Sequence, residues 1–92
     1  MITQKDLLTT AMKHKAILEG DNRIGVGSWA DFGNENLAGL DFSGLDFTGA
    51  NFTGANMSCC NLKGANFTAA NMEGACLTDA ETDGAIIDRT YL

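Results

Sequence analysis

The side chains with the clearest chemical potential in this sequence are His14, the single histidine, and the adjacent pair Cys59 and Cys60. A histidine can act as a general base and a cysteine as a nucleophile, provided the fold brings the two within hydrogen-bond reach. His14 lies seven residues after Leu7 and four before Leu18, at the border of an apolar face with helical spacing. That setting suits packing or hydrogen bonding better than proton transfer. No serine, cysteine or carboxylate acquires a credible base. A thiol pair could instead hold zinc, which asks for CxxC-type spacing, and the sequence contains no CxxC. Gly25 to Ser28 reads GVGS, but it lacks the GK[ST] ending and the preceding strand of a phosphate loop. The expectation is a protein that is not an enzyme, with no catalytic, cofactor-binding or metal-binding residues.

A five-residue beat must position most of the chain. From Ala30 to Arg89 it reads ADFGN, ENLAG, LDFSG, LDFTG, ANFTG, ANMSC, CNLKG, ANFTA, ANMEG, ACLTD, AETDG, AIIDR, twelve units without a gap. The third position is apolar in eleven of them: Phe32, Leu37, Phe42, Phe47, Phe52, Met57, Leu62, Phe67, Met72, Leu77 and Ile87. These form the expected structural core column, broken only by Thr82. The first position is alanine eight times, which implies an inward site with little room. The second is asparagine or aspartate nine times, residues that bond the nearby backbone and can stack into ladders. The fifth is glycine seven times, as a corner with positive φ requires. Each unit is then a short extended piece and a corner, and repeated corners wind a solenoid whose coils stack about 4.8 Å apart. In this register Cys60 replaces an inward alanine, while Cys59 sits on an outward corner as the candidate reactive surface thiol. Side chains pointing apart cannot share one ion.

The run ANFTG-ANMSC-CNLKG-ANFTA-ANMEG resembles the A(D/N)LXX signature of the pentapeptide-repeat family, and the likeness extends from Ala30 to Arg89. The resemblance implies an all-β solenoid: a right-handed quadrilateral parallel β-helix with four units per coil, hence about three coils. The stacked triplets would be Phe32/Phe52/Met72, Leu37/Met57/Leu77, Phe42/Leu62/Thr82 and Phe47/Phe67/Ile87. The departures lie late. Cys76, Glu81 and Ile86 replace the second-position Asn/Asp, and Asp79 and Arg89 replace glycine, which makes the third coil the least regular.

Residues 1–29 read as a capping helix and connecting loop, and residues 30–92 as the β-helix. Thr3 with Asp6 marks a helix start, and Leu7, Leu8, Ala11, Met12 and Leu18 recur at helical spacing as far as Glu19, before Gly20. A first coil without a cover would expose apolar side chains and a free edge, so the helix is expected to be its lid, with Trp29 helping. Asp21 to Ser28 is the connecting loop. Net charge is −6, with nine acids against two bases from residue 30 onward. This argues against direct nucleic-acid binding, which needs clustered cations. No apolar run reaches the roughly 18 residues of a membrane span, the first residues lack a signal-peptide core, and three cysteines fit a reducing compartment, so a cytoplasmic protein is expected.

The expected function is that of a structural or protein-interaction module, with a protein partner whose identity the sequence does not disclose. The family implies an alternative, since some similar proteins are acidic rods that imitate DNA and bind DNA gyrase. Three coils span only about 14 Å, the rise of about four base pairs, and no side carries an unbroken acidic column. Past Arg89 the register continues and puts Leu92 in the third-position column. The final coil would then offer Ile86, Ile87, Tyr91 and Leu92 beside unpaired backbone groups, which suggests a homodimer joined through the C-terminal coils.

Overall fold

The structure is a computed structural model that describes residues 1–21 and 27–92. Residues 22–26 of the Asp21 to Ser28 loop, with Gly25 and Val26 of the GVGS stretch among them, lie outside the described residues. Helix α1 spans Gln4–Leu18. Its start is a capping box: the Thr3 hydroxyl accepts from the Asp6 N–H at 3.1 Å, and the Asp6 carboxylate accepts from the Thr3 N–H at 3.2 Å. The Thr3 hydroxyl, which donates to Asp6 Oδ2 at 2.8 Å, and the Thr3 N–H hold the Asp6 carboxyl below the usual carboxylate range. At the other end the Glu19 N–H returns to the Lys15 carbonyl, and Gly20 leaves the helix with φ +75°.

From Asp31 to Asn71 each second-position residue pairs with the one twenty residues later. Parallel bridges join Asp31 to Asn51 and Asn51 to Asn71, and the same step links Asn36–Asn56, Asp41–Asn61 and Asp46–Asn66. Twenty residues are four units, so residues 30–49, 50–69 and 70–89 form coils 1, 2 and 3 of a β-helix. Its strands are minimal. Pairing is by isolated bridges with a corner on either side, not by continuous strands. A five-residue unit leaves no room for more, because two residues turn and one is already in the next face.

Each unit repeats the same hydrogen bonds. The Phe32 N–H donates to the Asn51 carbonyl at 2.7 Å and the Asn34 N–H to the Thr53 carbonyl at 2.8 Å, while the Asn51 N–H donates back to the Ala30 carbonyl at 3.1 Å. The corner closes when the Glu35 N–H reaches the Phe32 carbonyl at 3.1 Å, as in a type II turn, whose third residue takes positive φ. All twelve fifth positions do so, including Asn34, Cys59, Ala69, Asp79 and Arg89, with φ from +55° to +59°. The second-position side chain locks the turn: in each Asn or Asp unit its Oδ1 accepts from the N–H two residues on, as from Asn51 to Thr53 at 3.0 Å. A ladder contact between coils occurs from Asn51 Nδ2 to Asp31 Oδ1 at 2.9 Å.

The third-position side chains fill the interior. Phe42, Phe47, Phe52 and Phe67 are buried together with Leu37, Met57 and Leu62, and the Phe32 and Phe52 rings stack at 5.2 Å. The column thins in coil 3. Leu77 is only half-buried, and Ile87, expected in the core, is 56% exposed because no coil among the described residues lies beneath it. Helix α1 also departs from its expected stripe. It buries Leu7, Ala11 and His14 but leaves Leu8 and Met12 exposed, since these sit about 100° around the helix from Leu7 and Ala11.

Candidate functional site

His14 is fully buried between α1 and coil 1. Its Nε2–H donates to the Thr48 carbonyl at 2.8 Å, and its Nδ1 accepts from the Ala30 N–H at 2.9 Å. Both ring nitrogens are therefore engaged, and the ring packs against Trp29 at 5.3 Å and Phe47 at 5.6 Å. The histidine joins lid to solenoid. Trp29 lies over the Gly49 corner, where a Cβ would come within 3.2 Å of the indole, yet the indole remains largely exposed.

The cysteines divide by register. Cys60 is buried in the small-residue column, where burial pushes its thiol up and its Sγ–H donates to the Leu37 carbonyl at 3.0 Å. Cys59 is exposed on its corner. Sequence reasoning passed over Cys76 as a reactive thiol. It occupies a second position, its Sγ lies 3.4 Å from the Thr78 Oγ1, and the Thr78 hydroxyl and N–H hold its thiol below the ordinary range. The signal was present, because any residue in that column faces the N–H two residues on. No set of histidine, cysteine and carboxylate side chains among the described residues is arranged to hold a metal ion.

The two ends of the solenoid differ. The unit pattern gives each coil an edge toward α1 with two carbonyls and one N–H per unit, and an opposite edge with two N–H groups and one carbonyl. At coil 1 the lid answers the carbonyl-rich edge. Gln4 donates from Nε2 to the Asp41 carbonyl at 2.7 Å and accepts at Oε1 from the Asp41 N–H at 2.8 Å, so one side-chain amide stands in for a peptide group of an absent rung. The Ile2 N–H reaches the Asn36 carbonyl at 3.4 Å, and His14 serves Thr48.

Coil 3 has no such cover among the described residues. Ile86, Ile87, Tyr91 and Leu92 are exposed there. Beside Ile87 and Leu92, though not lined by the second-position Ile86 and Tyr91, opens an apolar cavity of about 200 Å³, floored by Leu62, Phe67 and Met72 of the stack and walled by Leu77, Ile87 and Leu92. The smaller residues of coil 3 create it: the column that holds phenylalanines above ends in Met72, Leu77, Thr82 and Ile87. A second groove, lined by Leu8, Met12 and Leu45, runs between α1 and a corner of coil 1. No helix among the described residues is long and apolar enough to cross a membrane.

A comparison with curated proteins finds no match. A comparison with family models matches pentapeptide repeats in eight copies, over residues 28–58 and 46–81, more than half of the chain. With its unbroken units, its Asn/Asp-locked corners and its twenty-residue stacking, the chain belongs to the pentapeptide-repeat family.

Proposed function

We propose that the right-handed, four-sided β-helix implied by the repeat, with α1 as its lid, is a non-enzymatic interaction module that binds a protein partner through coil 3. The observation that supports this reading is the contrast between a coil 1 edge met by Ile2, Gln4 and His14 and a coil 3 face that leaves Ile87 and Leu92 in solvent. Contiguous exposed apolar surface on a small domain marks a contact site. The fluorescence of 8-anilinonaphthalene-1-sulfonate reads such surface directly. The parent should bind the dye, and an Ile87→Lys, Leu92→Lys double variant should lose most of the signal while melting within a few degrees of the parent. Dye binding that survives the double substitution would place the contact surface elsewhere.

The acidic reading, with gyrase as target, meets an obstacle in the charge of successive coils. Coil 1 carries Asp31, Glu35, Asp41 and Asp46, and coil 3 carries Glu73, Asp79, Glu81, Asp83 and Asp88, but coil 2 has Lys63 and no acid. A DNA duplex bears a charge about every 1.7 Å of its axis, so an acid-free middle coil is a poor imitation. A supercoiling assay should show no inhibition at micromolar protein. Inhibition there would favour the DNA mimic over the reading above.

A further inference from the structure

We propose that the coil 3 edge takes up a basic and apolar segment of a partner protein, laid parallel to the coil and following its corners as a fourth rung. This rests on the reading of coil 3 as the contact surface, and it names the chemistry of what binds. Three observations converge on it.

The first is hydrogen-bond polarity. No hydrogen bond among the described residues engages the N–H groups of Leu77, Asp79, Thr82, Gly84 and Ile87, whose counterparts one coil earlier all donate to the next coil. The matching free carbonyls are those of Ala75, Ala80 and Ala85, so donors outnumber acceptors. The complement is a chain that offers carbonyls, as each coil offers them to the one before it. A second copy meeting end to end would oppose two donor-rich edges. The other end of a second copy, rich in carbonyls, lies under α1.

The second is charge. Residues 70–89 hold five acids against Arg89 alone, and two of the five are already paired, Glu81 with Lys63 at 2.8 Å and Asp88 with Arg89 at 3.9 Å. Two such faces repel each other, whereas lysine or arginine side chains on a partner would meet Asp79 and Asp83. The third is shape. The cavity of about 200 Å³ exceeds the roughly 150 Å³ that admits a benzene ring, so one phenylalanine or leucine of the added segment can enter it and extend the inward column.

A fluorescein-labelled peptide of alternating lysine and leucine with one central phenylalanine serves as probe, and its glutamate-for-lysine counterpart as control. Fluorescence anisotropy against the 92-residue chain should detect the basic peptide, and binding should weaken at least tenfold in Ile87→Glu, Leu92→Glu. That variant adds negative charge, so its loss of binding reports the apolar seat and not repulsion. An Asp79→Asn, Asp83→Asn variant should also bind more weakly, and added salt should weaken the parent. Equal binding of both peptides, or binding untouched by the Ile87→Glu, Leu92→Glu pair, overturns the inference. Light scattering separates the two levels of the argument. A parent dimer abolished by Ile87→Lys, Leu92→Lys makes a second copy the occupant, which sinks the basic segment and leaves coil 3 as contact surface. A monomer that binds neither peptide nor dye sinks both.

Discussion

Cys76 stands in a column otherwise held largely by asparagine and aspartate, and its sulfur faces the same turn that their oxygens lock. Because Thr78 holds its thiol below the ordinary range, more of it is thiolate, the reactive form. Iodoacetamide should alkylate Cys76 well before the buried Cys60, whose thiol burial pushes up, and Thr78→Val should slow Cys76. Peptide mass spectrometry after timed quenching checks the order, and equal rates for Cys60 and Cys76 would refute it. Asp41 shows the column's usual chemistry. Ser43, through its hydroxyl and its N–H, holds the Asp41 carboxyl below its ordinary 3.8. A lowered folded value means that this contribution is fully present above about pH 4 and is lost as the pH falls through the folded value. Asp41→Asn keeps the accepting oxygen without the titration. Urea midpoints of the variant should therefore lie at or slightly below the parent's at pH 7 and fall less steeply below pH 4.

At the scale of the element, α1 acts through a few side chains that mimic backbone. A helix cannot pair with a solenoid edge through its own peptide groups, which are spent within the helix. Gln4 and His14 supply the missing donors instead, and Leu7 and Ala11 supply the apolar cover. Gln4→Leu should cost about 1–3 kcal/mol, two hydrogen bonds at roughly 0.5–1.5 kcal/mol each, and should strip hydrogen-exchange protection from the Asp41 N–H. His14→Leu should cost about 2–4 kcal/mol, because the Ala30 N–H and the Thr48 carbonyl are then left without partners beneath the lid. Denaturant titration of both variants tests the ranking. If Gln4→Leu proves the more damaging, the histidine is not the principal tie.

For the whole molecule, stability in a solenoid is the sum of rungs and their interfaces, so the same column position weighs differently along the stack. Phe67 has a coil on both sides and is buried, and Phe67→Ala should cost about 3–5 kcal/mol. Ile87 belongs to the same column one coil further on, faces solvent, and should cost under about 1 kcal/mol as alanine. Equal losses at the two positions, read by urea unfolding, would mean that coil 3 is covered in solution.

The five-residue period, the inward columns, the positive-φ corners and the Thr3–Asp6 helix start were legible in the residues themselves, because each is a local preference that repetition amplifies or a cap defines. The twenty-residue step was not, since the turning of each corner is a matter of backbone angles; the family resemblance supplied it. Other features needed partners distant in sequence. Which side of α1 packs depends on Ala30, Asp41 and Thr48, so Leu8 and Met12, apolar and well spaced, end in solvent while His14 goes inside. The column pattern likewise assigned Ile87 inward by its type, but burial requires a neighbour on the far side. Only the stacked structure decides where the neighbours stop.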